Sequence, residues 1–297
     1  MKFKSKILYI FPIIILILFL FFFTSSKTLL INNFTSFLSS DDFSILILGK
    51  PGAGYIGSEN TDSIALGYYS KKYNKFFLIF IPRDLVVKND NGELEKINAL
   101  YGEKKMNTLL NKVEDFTGIK VKNYIVVDLT LIKSLVDFLG GLEVELDEPV
   151  TDAVTLYTLN KGKHILNGDL IELILRSRYN SEGDFFRQGN QAKVLKSLKD
   201  KVASLSLEEK INLIKFLDSR KYHWQTNLSK QEIFNLFLEI KDVQSLSIEP
   251  IIFKIRNGLL ASGYFNMQNS KNVYGIYPKA GIENYDKIKF YIKSIIR

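Results

Sequence analysis

Between Phe43 and Pro82 the chain carries three apolar runs, Phe43 to Leu48, Ile64 to Tyr69 and Lys75 to Pro82. Only glycine-rich or polar connections separate them. Runs with little polar alternation read as strands buried on both faces, and a sheet built from them needs a covering layer on each side. The second and third flank the polar turn Lys71 to Asn74, which predicts a hairpin. Downstream, Met106, Leu109, Leu110, Val113 and Phe116 share one face of a helix expected from about Glu103 to Phe116. A strand over Asn123 to Leu129, a helix over Leu131 to Leu139 stopped by Gly140-Gly141, and a strand over Leu142 to Leu146 follow. The alternation predicts an α/β chain with helices on both sides of a sheet.

The most highly charged connection is Arg176-Ser-Arg-Tyr-Asn-Ser-Glu-Gly-Asp-Phe-Phe-Arg187-Gln-Gly-Asn-Gln191. Leu170 to Leu175 precedes it in a helix with a plausible N-cap at Asn167. Val194, Leu195 and Leu198 follow it in a helix expected from Gln188 to Ser204. Arg187 and Gln191 stand four apart, on one helical face. Guanidinium groups converging at a helix N-terminus make an anion site, and phosphate fits the arginine fork best. A solvated basic loop is the competing reading. The glycine-rich stretch Gly49 to Gly57 is not a P-loop, because it lacks the Gly-Lys-Ser/Thr ending before a helix. Further helices are expected at Leu207–Leu217, Lys230–Ile240 and Asn284–Ile296, with short strands at Ser245–Ile255 and Gly263–Met267. Ser229 and Glu232 form a capping-box pattern.

Lys2, Lys4 and Lys6 precede an apolar run from Ile7 to Phe23 that contains Pro12. Seventeen helical residues span about 26 Å, near the thin end for a bilayer core. The expectation is an uncleaved signal anchor over residues 1–27, N-terminus cytoplasmic, with a linker at 28–42 and an extracytoplasmic domain at 43–297. A cleaved signal peptide is the rival. The formal charge is +8, but Lys2, Lys4, Lys6 and Lys27 all precede residue 28, so the remainder carries only about +4. That is too little to argue for nucleic acid. The chain has no cysteine and two histidines, His164 and His223. This excludes disulfides, thiolate metal sites and cysteine nucleophiles, and leaves little for a histidine-rich metal site.

Seven motifs then occur in a fixed order: Leu46–Gly49; Asp62-Ser63-Ile64; Ile81-Pro-Arg-Asp84; Lys96-Ile-Asn-Ala99; Thr117–Ile119 before Val126–Asp128; Leu139–Val144; and Leu166–Gly168 followed by Arg176, Arg178, Asp184, Phe185 and Arg187. In this the chain resembles the LytR-CpsA-Psr family of bacterial cell-envelope proteins, over roughly Phe43 to Lys201. The resemblance implies a three-layer α/β/α sandwich with a central mixed sheet and an apolar channel. It implies a membrane-anchored, outward-facing transferase. Such an enzyme moves a glycopolymer from a polyprenyl-pyrophosphate carrier to peptidoglycan or another envelope acceptor through a phosphodiester.

Carried over residue by residue, the resemblance gives Arg83, Arg178 and Arg187 as catalytic. Arg83, Lys96, Arg176, Arg178, Arg187 and Gln191 hold the pyrophosphate, and Asp62 holds magnesium, with manganese as the alternative. The partners it implies are the lipid-linked glycopolymer, the envelope acceptor and the bilayer, with no nucleic acid. Asp84 is expected to orient Arg83, and Asp184 to orient the arginine loop. Those residue types suit phosphoryl transfer, which needs positioning and charge neutralisation. Three positions depart from the family pattern: Pro51 where an aspartate is usual, and Asn60 and Asn190 where arginines are usual. Lys50 is a candidate to replace one lost phosphate contact. Hydrolysis of the pyrophosphate, or lipid binding without turnover, are the alternative functions. A transcriptional regulator is disfavoured, because no basic recognition helix is evident.

Overall fold

A computed structural model describes residues 42–296, apart from 53, 55–57, 230–231, 233–245 and 268–269. The expected anchor, nearly all of the linker and nearly all of the expected helix Lys230–Ile240 lie outside the described residues. Among the described residues no helix is long and apolar enough to cross a membrane.

The strands are β1 (Phe43–Lys50), β2 (Ser63–Ser70), β3 (Lys75–Phe80), β4 (Val86–Lys88), β5 (Leu94–Lys96), β6 (Tyr124–Asp128), β7 (Leu142–Leu146), β8 (Val150–Thr151), β9 (Thr158–Leu159), β10 (Gly162–Leu166), β11 (Trp224–Thr226), β12 (Ser247–Ile252), β13 (Leu260–Met267) and β14 (Ser270–Pro278). The helices are α1 (Ala99–Gly102), α2 (Met106–Thr117), α3 (Leu129–Phe138), α4 (Gly168–Arg176), α5 (Asp184–Ser204), α6 (Leu207–Ser219) and α7 (Asp286–Ile295).

The central sheet runs β11-β6-β1-β2-β3-β12. It is mixed: β1 runs parallel to β6 and antiparallel to β2, and β3 runs parallel to β12. β2 and β3 form the expected hairpin, with Ser70 opposite Lys75. The two faces of the sheet explain why its strands read as continuous apolar runs. Leu46, Leu48, Ile64, Leu66 and Ile79 join a core with Leu109 and Val113 of α2 and Ile288 and Ile292 of α7. Ile45, Ala65, Leu78, Phe80 and Ile125 join another with Leu135 of α3, Ile171 of α4 and Leu198 of α5. Burial on both sides leaves no position for polar alternation. This is the expected α/β fold with a central mixed sheet.

The strand directions gather functional groups at one edge. β1, β3 and β6 end there and β2 begins there, so Lys50, Asp62, Arg83 and Asp128 come from four neighbouring strands. On that plan the remaining elements depart from expectation in local ways. β7 leaves the central sheet and pairs with β10. β6 stops at Asp128, whose side chain caps α3 by accepting from Leu131 N at 2.9 Å. Asn167 caps α4 as expected, accepting from Leu170 N at 3.0 Å. Ser229 and Glu232 exchange the capping-box bonds, 2.8 Å and 3.2 Å long. α5 begins at Asp184, four residues before the expected Gln188. Gly183 precedes it at φ +53°, a left-handed conformation that glycine adopts without a Cβ clash. β13 pairs with β14 where only the strand at Gly263–Met267 was expected.

Gly67 on β2 leaves room for the fully buried Phe76 ring on β3. A Cβ there would lie 2.3 Å from the ring Cζ. Gly67→Ala therefore forces Phe76 off its rotamer, and we expect it to destabilise the full-length protein by about 1–3 kcal/mol. Chemical denaturation in detergent, followed by fluorescence of the single tryptophan Trp224, reads this directly. An unchanged midpoint would show that the ring can move aside at no cost.

Candidate active site

The site is assembled from the sheet edge and the loop between α4 and α5. Arg83 follows β3 and pairs closely with Asp62, which stands just before β2. Asp62 N donates to Gly49 O at 2.7 Å, so the carboxylate is fixed to the end of β1. Arg187, in the first turn of α5, donates from Nη2 to the backbone oxygen of Asp62 at 2.5 Å, and the same Nη2 forms an ion pair with Asp184 Oδ1 at 2.6 Å. Arg178 places Nε 3.4 Å from the same Asp184 oxygen and Nη2 3.9 Å from Asp62 Oδ1. Gln191, one turn beyond Arg187, accepts from Ser63 Oγ at 2.8 Å and donates to Leu175 O at 3.3 Å. Glu182 holds the arginine loop to the end of β12 through Lys254 and Arg256.

Three guanidinium groups thus surround Asp62 and Asp184. Arg187 is buried, with 3% of its side chain exposed, and burial is the main reason its pKa falls to about 10. Burial lowers the Arg178 pKa as well, with the Arg83 charge as the next cause. For Arg178 and Arg187 the neighbouring guanidinium charges add to that lowering, and the nearby carboxylates oppose it. The Nε atoms of Arg83, Arg178 and Arg187 are also buried without a hydrogen-bond partner. Buried donors left open favour an anion that can meet them. One unit charge at 4 Å is attracted by about 4 kcal/mol at an effective dielectric of about 20, before desolvation is subtracted.

Asp62 and Arg187 of the cluster stand at one end of an open cavity of about 130 Å³. Asp62, Arg176, Arg187 and Gln191 line its polar end, and Ile47, Leu78, Phe80, Ile132, Val194 and Leu198 are among its apolar walls. The space lies between the sheet and helices α3 to α5. It suits an amphiphile with an anionic head and an apolar body.

The expected site residues fall into an inner and an outer group. Arg83, Asp62, Arg178 and Arg187 come together. Lys96 is one step removed: its Nζ is 2.7 Å from Asp84, which itself lies 3.8 Å from Arg83 Nε. Arg176 pairs with Glu172 at 3.0 Å and lies on the cavity rim. Lys50 turns to Glu59 at 3.0 Å and lies over the Tyr101 ring. Of the departing positions, Pro51 lines the cavity, Asn60 is exposed, and Asn190 is buried with Nδ2 unpaired. Among the described residues no group of three metal-ligating side chains occurs. Sequence reasoning missed Ser63 as the anchor of Gln191. It also missed the pairing of His223 Nδ1 with Asp128 Oδ2 at 2.7 Å. Only register could have revealed either.

The model of the LytR_cpsA_psr family matches residues 24–276. The chain belongs to that family. Within it, the regulatory protein MsrR of Staphylococcus aureus is 27% identical over 231 residues, covering 75% of this chain and 69% of MsrR. The polyisoprenyl-teichoic acid–peptidoglycan teichoic acid transferase TagV of Bacillus subtilis is 29% identical over 223 residues, covering 69% of this chain and 56% of TagV. The solved structure of B. subtilis TagV superposes with a TM-score of 0.64 at 24% identity, covering 87% of this chain and 98% of that one. That of B. subtilis TagT gives 0.62 at 20% identity, covering 86% and 91%. TagT bound to LIIa-WTA gives 0.65 at 20% identity, with the same coverage. These structural likenesses establish the LytR_cpsA_psr fold.

Asp184 serves two of the clustered arginines, so Asp184→Ala leaves the buried Arg187 charge without its closest carboxylate. We expect a loss of about 3–5 kcal/mol in folding stability, measured by the same tryptophan denaturation. A loss under about 1 kcal/mol would show that Arg187 re-pairs with Asp62.

Proposed function

We propose that the chain transfers a glycopolymer from a polyprenyl-pyrophosphate carrier to peptidoglycan or another envelope acceptor, forming a phosphodiester. The observation that carries this reading is an arginine cluster with open Nε donors that meets an apolar cavity through Asp62 and Arg187. A polyprenyl diphosphate has that same division between an anionic head and a hydrocarbon tail. Membership of the family and the transferase name of TagV support the same chemistry. The apolar run Ile7–Phe23 behind Lys2, Lys4 and Lys6 supports a single-pass anchor with the catalytic domain outside the cytoplasm.

In this reading Arg178 and Arg83 grip the diphosphate, and Arg187 backs them from its buried position. Arg176 and Lys96 add charge at the rim. Gln191 holds the cavity wall through Ser63 and Leu175 and offers its amide to the head group. Asp62 fits a magnesium ion, or manganese, in one specific sense. It is a lone, partly exposed carboxylate beside the anion site, so phosphate oxygens and water must complete the shell. A metal bound there supplies neutralisation of diphosphate charge. The side chains do the positioning. They hold the phosphorus that bears the glycopolymer for attack by the acceptor hydroxyl, and they stabilise the charge passing to the departing polyprenyl phosphate.

The departures at Pro51, Asn60 and Asn190 favour one second reading, a carrier that binds the lipid without turnover. Full-length protein in detergent, given a polyprenyl-pyrophosphate oligosaccharide and a peptidoglycan fragment, distinguishes the two. Linked product that requires divalent metal and falls about 10²–10³-fold in Arg178→Ala is the expected result. Tight donor binding with no product across several acceptors would establish the carrier. Donor cleavage at one rate with and without acceptor would establish a pyrophosphatase.

A further inference from the structure

The Asp128–His223 pair takes no part in the anion site, yet it stands on the same sheet edge. β11 lies antiparallel to β6 with Trp224 opposite Val127, which sets His223 beside Asp128. Asp128 Oδ2 is 2.7 Å from His223 Nδ1, and Asp128 Oδ1 accepts from Leu131 N at 2.9 Å. Both carboxylate oxygens are therefore engaged. The bond to Nδ1 places the proton of the neutral ring there, and leaves the Nε2 lone pair available. The His223 side chain is 35% exposed against 15% for Asp128, so the ring can be reached from solvent.

Position gives the dyad its meaning. Asp128 lines the same cavity as Asp62 and Arg187. In register it stands next to Lys50 of β1, and Asp62 follows on the next strand. At a strand spacing of about 4.8 Å, Asp128 and Asp62 are roughly 10 Å apart along the edge. The two carboxylates thus flank the polar end of one cavity. Of the dyad, Asp128 lines the cavity and His223 stands behind it; the other histidine, His164, lies on β10 with its Nε2 2.7 Å from Asn160 O.

We propose that His223 is the general base for the acceptor. The proposal rests on the transferase reading. Nε2 takes the proton of the acceptor hydroxyl, and the acceptor oxygen forms a bond to the phosphorus bearing the glycopolymer. The bond from that phosphorus to the bridging oxygen breaks, and its electron pair leaves with polyprenyl phosphate. Asp128 stabilises the imidazolium, which then releases its proton to the departing phosphate or to water. Lys50, paired with Glu59, stands beside Asp128 in register, and Arg220 and Lys221 precede the histidine on its own turn.

The test is the pH dependence of transfer by full-length protein in detergent, with the lipid-linked donor and a saturating peptidoglycan fragment. Wild type and His164→Gln should lose rate on the acid side of the profile, where the base becomes protonated. His223→Gln should lose about 10²–10⁴-fold in kcat, together with that acid limb, at unchanged donor affinity. Imidazole added to His223→Ala should restore part of the rate, which a structural role would not allow. Asp128→Asn, which keeps a hydrogen-bonding side chain at the cap, should lower kcat and shift the limb. An acid limb that survives intact in His223→Gln, or in Asp128→Asn should the glutamine variant fail to fold, overturns the assignment while leaving the transferase standing. A wild-type protein that binds donor and transfers nothing overturns both.

Discussion

The guanidinium of Arg187 is the tie on which the site depends. It is buried, and it bonds at once to the backbone of Asp62 at the sheet edge and to Asp184 in its own helix. Removing such a group from water is costly unless several partners meet it. Those partners hold the start of α5 against the start of β2. That contact sets the width of the apolar cavity, aims Gln191 at Ser63, and leaves Arg178 suspended over Asp62. The surplus of positive charge around Arg83, Arg178 and Arg187 is thus built into the packing.

The mixed sheet makes this possible. Parallel pairing of β1 with β6 and antiparallel pairing with β2 bring strand ends and strand starts to one edge. Polar residues there are fixed by the strands beneath them, and the apolar faces below remain free to wall a cavity. One edge therefore carries both chemistries, an anion clamp over Asp62 and a histidine–carboxylate dyad two strands away.

The positions that depart from the family pattern take three different places: Pro51 on the cavity wall at the turn after β1, Asn60 exposed, and Asn190 buried on α5 with Nδ2 unpaired. Lys50 pairs with Glu59, lies over the Tyr101 ring and lines the cavity.

By itself the sequence determined the kind of fold and singled out the residues that gather around Asp62. Continuous apolar runs require a sheet covered on both faces, and Asp62, Arg83, Arg178 and Arg187 stand in recognisable local motifs. Local chemistry also revealed the caps at Asn167 and Ser229, because a cap is completed within a few residues. The departure of β7 to pair with β10, the early start of α5, the withdrawal of Lys50 and Lys96 into ion pairs, and the meeting of His223 with Asp128 across 95 residues were decided by tertiary structure. Each depends on strand register or on competition between partners distant in sequence. A pattern read along the chain carries the periodicity of one element, and holds no record of which element lies beside it.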